Sequence, residues 1–106
     1  MNENRLSQLK AMQAAEPDDP FLAYAIAQEY LGDGQYSLAR TLFEELLAQH
    51  PTYLAAYHHY GITCIHLGDA VAAEKALRDG IALAKSENKS KAASEMAELL
   101  DDLLDQ

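Results

Sequence analysis

Laid over itself with an offset of 34 residues, this chain puts apolar positions on apolar positions and breakers on breakers. Pro17 falls on Pro51, Gly34 on Gly68 and Ala39 on Ala73; Ala14, Ala48 and Ala82 coincide, and Leu9, Phe43 and Leu77 align as one large apolar position. A fixed period of this length belongs to a stacked array, in which each unit is too small to bury its own apolar face and relies on its neighbours. A competing offset of 36 is suggested by Leu-Gly-Asp, which occurs at 31–33 and again at 67–69. That offset sets Phe43 opposite Asp79 and Leu42 opposite Arg78, exchanging core for solvent, and it is rejected on that ground.

Inside each period the apolar spacing is that of helices. Residues 3–15 carry Leu6, Leu9 and Met12 at three-residue steps, and Pro17 closes the stretch. Asp19 and Pro20 form a start signal, the carboxylate capping free N–H groups and the proline fitting the first turn. The next helix, 20–32, buries Leu22, Ala23, Ile26, Ala27 and Tyr30, and Gly32-Asp33-Gly34 breaks it. Helix 35–49 has Leu38, Ala39, Leu42, Phe43, Leu46 and Leu47 as its stripe; helix 53–67 turns Leu54, Tyr57, Tyr60, Gly61 and Cys64 inward. Helix 70–84 offers Ala73, Ala76, Leu77, Gly80 and Ile81, and helix 89–104 offers Ala92, Met96, Leu99, Leu100 and Leu103. No stretch alternates with a period of two, so no strands are expected, and the short links make successive helices antiparallel neighbours.

These features resemble the tetratricopeptide repeat (TPR), a helix–turn–helix unit of about 34 residues. Residues 20–53 match its signature with Ala23, Ile26-Ala27, Tyr30, Ala39, Phe43 and Pro51; residues 54–87 match with Tyr57, Tyr60-Gly61, Cys64, Ala73 and Leu77. The second repeat departs at Cys64, Gly80 and Lys85, where the family usually has Tyr, Ala and Pro. The resemblance implies one all-α domain over 1–106, a right-handed superhelical stack of about six helices. Residues 3–17 are expected as a flanking helix, 20–53 and 54–87 as two full repeats, and 88–105 as a closing helix. Small residues are needed where paired helices cross, which singles out Ala27 with Ala39 and Gly61 with Ala73.

The family's groove is lined by the first helix of each repeat. Carried over, this gives Phe21, Tyr24, Gln28 and Leu31 from repeat one and Ala55, His58, His59, Ile62 and His66 from repeat two, with Lys89, Met96 and Leu99 available from the closing helix. Aromatic and amphipathic side chains on a free concave face suit a peptide or helix; a closing helix folded over them would make them core instead. Some family members clamp the C-terminal carboxylate of heat-shock chaperones with Lys, Asn and Arg. The matching positions here are Tyr24, Gln28, His59, Lys89 and Ala93, and only Lys89 keeps the type, so that ligand is not expected.

The expected function is therefore a protein-interaction module, a scaffold or adaptor holding a protein or peptide. Two alternatives stand beside it: a self-associating module that buries the groove in a homodimer, and a small cytoplasmic chaperone-like TPR protein guarding an apolar segment of its client. Other classes are disfavoured. Seventeen Asp plus Glu against eight Lys plus Arg leave a net charge of -9, which opposes binding to phosphate backbones. One cysteine, Cys64, allows no intrachain disulfide and no thiolate metal cluster. The four histidines include no i, i+4 pair, so no metal or other cofactor is expected. No apolar run approaches a membrane span and residues 1–17 lack a secretory pattern, so a cytoplasmic setting without membrane contact is expected. Gly32-Asp33-Gly34 lacks the Lys-Ser/Thr of a phosphate loop, and no clustered acid–base set points to an enzyme. The last helix carries Glu95, Glu98, Asp101, Asp102 and Asp105 after its last lysine, Lys91, an arrangement that opposes its dipole and suits a basic contact.

Overall fold

The computed structural model describes residues 1–106, which form six helices and no strand: α1 (Glu3–Ala15), α2 (Pro20–Gly32), α3 (Tyr36–Gln49), α4 (Leu54–His66), α5 (Ala70–Ser86) and α6 (Ser90–Leu104). Each helix packs on the next in chain order, and α2 also touches α4. This is the all-α stack of antiparallel pairs that the period implies. No helix is long and apolar enough to cross a membrane.

The helix starts follow local chemistry. Asn2 Oδ1 accepts from the Arg5 N–H at 3.0 Å, Asp19 Oδ1 from Phe21 at 2.9 Å and Asp69 Oδ1 from Ala72 at 3.0 Å, each satisfying a donor that the first helical turn leaves free. Asp69 has a second role. Arg40 Nη2 on α3 donates to its other oxygen at 2.9 Å, so one carboxylate caps α5 and ties it to the preceding repeat. The Ala72 N–H and then Arg40 hold that carboxyl below its ordinary range.

The turns confirm the offset of 34 independently of side-chain size. Gly34 has φ 78° and Gly68 φ 75°, both left-handed and both two residues before the next helix. In each turn the following N–H reaches back five residues, Gln35 to the Tyr30 carbonyl at 3.0 Å and Asp69 to the Cys64 carbonyl at 2.9 Å, which is the Schellman closure that requires a left-handed residue. The α5–α6 turn repeats it with Asn88 at φ 60° and Lys89 bonded to the Ala84 carbonyl at 2.8 Å. Lys85, in place of the family's proline, does not stop the helix, so α5 runs to Ser86 rather than ending near 84.

Most of the core is where the stripes put it. Ala27, Ala39, Phe43, Cys64, Ala73 and Leu77 are fully buried. Two apolar clusters form. The first joins Leu6, Ile26, Ala27, Tyr30, Ala39, Phe43, Leu46 and Ala56, and the second joins Leu77, Ala84, Ala93, Met96 and Leu100. Two expectations need correction. Met12 is 53% exposed, because three-residue steps drift about 60° each around a helix and carry it off the stripe begun by Leu6. Leu38, in the first turn of α3, is 40% exposed. Gly61 makes room for Leu77, since a Cβ placed on it would lie 2.8 Å from Leu77 Cδ2. Its nearest partner across the crossing is therefore a large residue of α5, Leu77.

Candidate functional site

The candidate wall is built from α2 and α4, with α6 beside them. At 100° per residue, Tyr24 and Gln28 share a face of α2, while His58, His59 and Ile62 share a face of α4. The structure joins these faces. Gln28 Nε2 donates to Tyr24 Oη at 2.7 Å, and Tyr24 Oη lies 3.0 Å from His59 Nδ1. The phenol accepts from Gln28, so its own proton is free for His59 in the Nε2–H tautomer. In the Nδ1–H tautomer His59 donates instead to the Ala55 carbonyl, 3.1 Å away. In the Nε2–H tautomer α2 and α4 are thus tied across the wall by polar side chains.

The wall is anchored in the core beneath it. The Tyr24 ring lies 6.4 Å from Phe43, 5.4 Å from Tyr53 and 5.6 Å, edge-on, from His59. Burial, and then Tyr53, push the Tyr24 phenol above its ordinary range. Tyr24 is thus half support and half surface, and its role in packing exceeds what the helical face alone suggests. Phe21, one turn earlier on α2, is 58% exposed and free of such duties.

The other carried-over residues separate. Ile62 is half-buried on the same face as His58 and His59, and Ala55 is exposed. Leu31 packs against the first apolar cluster. His66 leaves the group and stacks on Tyr36 of α3, with ring centroids 4.4 Å apart and planes 3° from parallel. On α6, Met96 is 1% exposed and belongs to the second cluster, while Leu99 packs against it. Two neighbours escaped the sequence reading. Tyr53, just before α4, sends its ring to Tyr24, and Glu95 of α6 lies close enough for its charge to act on His58. A tyrosine immediately ahead of a groove helix is the available signal for the first. The second depends on how α6 is rotated, which the stripe Ala93, Met96 and Leu100 determines.

The His58 ring centroid is 5.2 Å from that of His59. Burial first, and then the neighbouring His59, lower the His58 pKa, against a smaller raising effect of Glu95. The unfolded chain therefore binds this proton more readily than the folded one. Stability tied to His58 is complete above the ordinary histidine range, about 6.5, and is lost as pH falls through the lowered folded value. Melting at pH 5.5 and 7.5 should show a larger drop in Tm for the natural chain than for His58→Gln; equal drops would remove His58 as the cause.

Cys64 is fully enclosed, and burial raises its thiol pKa, which disfavours the nucleophilic thiolate. No three His, Cys, Asp or Glu side chains gather as a metal site would require.

Antiparallel helix pairs stacked at a fixed offset, with matching Schellman turns, define a helical-repeat protein. The family model described as tetratricopeptide repeat matches residues 30–99, and the chain belongs to that family. A tetratricopeptide repeat domain protein from Salinibacter ruber, solved by solution NMR, is 36% identical with a TM-score of 0.76, covering 82% of this chain and 88% of its own. A protein from Bordetella parapertussis is 27% identical with a TM-score of 0.83, covering 93% and 86%. The type III secretion translocator chaperone of Yersinia enterocolitica shares the fold at 15% identity, with a TM-score of 0.87 over 95% of this chain and 70% of its own. No curated protein matches the sequence.

Proposed function

We propose that this TPR protein is a non-enzymatic interaction module that holds a peptide or helix of a protein partner against the wall made by α2, α4 and α6. The observation that carries this reading is the tied but only half-buried set Tyr24, Gln28, His58 and His59, with Phe21 exposed beside it. The set offers aromatic surface, and its polar atoms are already positioned, so an incoming chain would find little side-chain freedom left to lose. We infer a cytoplasmic setting, consistent with a lone, enclosed thiol.

A second reading is a small chaperone covering an apolar segment of its client. It draws on the fold shared with the Yersinia chaperone and on Phe21 as exposed apolar surface. A homodimer burying the same wall is the third. Light scattering separates the last from the first two, because a tight dimer at micromolar concentration would mean that the wall serves assembly. Crosslinking capture from the native cell, repeated with Phe21→Ser, tests the wall itself. The variant is expected to fold with an unchanged Tm and to lose the captured partner by about tenfold or more, the value of an aromatic anchor. Full retention of the partner would place binding elsewhere.

A further inference from the structure

On α4, Tyr57 and Tyr60 point to roughly the opposite side from His58, His59 and Ile62. There they form the floor of a furrow between α3 and α5, away from the wall described above. The same furrow exists one repeat earlier between α1 and α3, and five of its lining residues lie 34 positions before lining residues of the later one. The two differ in size. The earlier hollow holds about 160 Å³, the later about 340 Å³. A residue-for-residue change accompanies the difference: Leu42 lines the first furrow, and Ala76 stands at the equivalent place in the second. The fold thus tolerates leucine at this place in one repeat and leaves the place open in the other.

The open furrow is apolar at its base, with Glu44 on one rim and Asp79 and Lys75 on the other. Glu44 on α3 uses Oε2 for both the Tyr60 hydroxyl at 2.8 Å and Arg40 Nε at 3.3 Å, leaving Oε1 without a partner. Asp79 on α5 uses Oδ2 for Lys75 Nζ at 2.7 Å, leaving Oδ1 without one. Both carboxylates are about half exposed. The tyrosine hydroxyls are occupied as well, Tyr57 donating to the Pro51 carbonyl at 2.6 Å. What the furrow offers is therefore methylene and ring surface between two open carboxylate oxygens, with the Lys75 ammonium beside one of them, on a protein of net charge -9.

We propose that this furrow receives an arginine side chain from a basic segment of a protein partner. Its methylene stem lies on Leu47, Ala72, Ala76 and the Tyr57 ring, and its guanidinium reaches the open oxygens of Glu44 and Asp79. Arginine suits the site better than lysine because its planar, weakly hydrated head stacks on rings and addresses two acceptors at once. The excess negative charge of the protein steers such a segment inward.

The test uses the full chain labelled with nitrogen-15 and titrated with N-acetyl-arginine N-methylamide, the leucine and glutamate analogues serving as comparisons. The arginine probe is expected to produce saturable shifts at the Ala48, Ala72 and Ala76 amides, and to bind at least about threefold more weakly as salt rises to 0.5 M. Ala76→Leu fills the hollow and should abolish these shifts, and Asp79→Asn should weaken them several-fold. Phe21→Ser should leave them unchanged, so this surface and the α2–α4 wall stand or fall separately. The proposal is overturned if the leucine analogue matches arginine, if the shifts fall only on the acidic α6, or if Ala76→Leu binds as the natural chain does. Should Ala76→Leu lose its native spectrum, an unchanged affinity in Asp79→Asn is enough to overturn it.

Discussion

Phe43→Ala is expected to cost about 3–5 kcal/mol of folding free energy, the largest loss available from a single truncation in this chain. Phe43 is the largest of the fully enclosed side chains and sits within the first apolar cluster, in company with residues from α1, α2, α3 and α4. Truncation removes the ring's own transfer free energy and leaves a cavity between helices that Schellman turns and the Arg40–Asp69 bond hold at fixed spacing. A domain of this size has about 5–15 kcal/mol in hand, so the variant should lose a large share of its stability. A melt should show Tm lower by more than about 12 °C. Phe43→Leu keeps most of the volume and should lose far less. Because Tyr24 rests on Phe43, the alanine variant should also disturb the Tyr24–His59 pair, seen as shifted histidine ring resonances. A Tm within a few degrees of the natural value would mean that the core is not centred where the offset of 34 places it.

The second large effect is expected at Gly80. In α5 this residue lies against α4 and α6 at once, and a Cβ there would fall 2.5 Å from Met96 Sδ and 2.8 Å from Tyr57 Cβ. Alanine gains about 0.5–1 kcal/mol of helix propensity over glycine. That gain is outweighed, because Tyr57 Cβ is next to backbone and cannot swing aside. Gly80→Val adds a branched chain to the same contact and should cost about 3 kcal/mol, the upper end of ordinary overpacking. Met96→Ala in the same chain should recover part of the loss, the part due to sulfur, and leave the part due to Tyr57. A double-mutant cycle on denaturant midpoints would measure that coupling. Additive losses would show that Met96 is not what Gly80 accommodates.

Gly80 also shows what the sequence can and cannot disclose. The offset of 34, the six helices and the buried Ala39, Phe43, Ala73 and Leu77 were legible because periodic spacing and residue size are both written in one dimension. The reason for glycine at 80 was not. It stands out only as a departure from the family's alanine, and its causes are Tyr57 on the preceding helix and a methionine sixteen residues later, which share the space. The candidate site divides in the same way. Helical spacing brought Tyr24, Gln28 and Leu31 to one face and His58, Ile62 and His66 to another. That Tyr24 and His59 would meet and that His66 would turn to Tyr36 depend on helix rotation and rotamers, which spacing does not encode.

The two apolar clusters share no buried side chain, and α4 contributes to both, through Ala56 and Tyr60 on one side and Leu54 and Tyr57 on the other. A seam between the two clusters therefore runs along α4, bridged by Arg40–Asp69 and by small enclosed residues such as Cys64 and Ala73. Such an arrangement opens in stages. Amide protons of α5 and α6 should exchange as one cooperative block with an opening free energy distinct from that of α2 and α3, whereas a single uniform value along the chain would make the seam only geometric. Opening at such a seam would uncover α4, the one helix that both halves share.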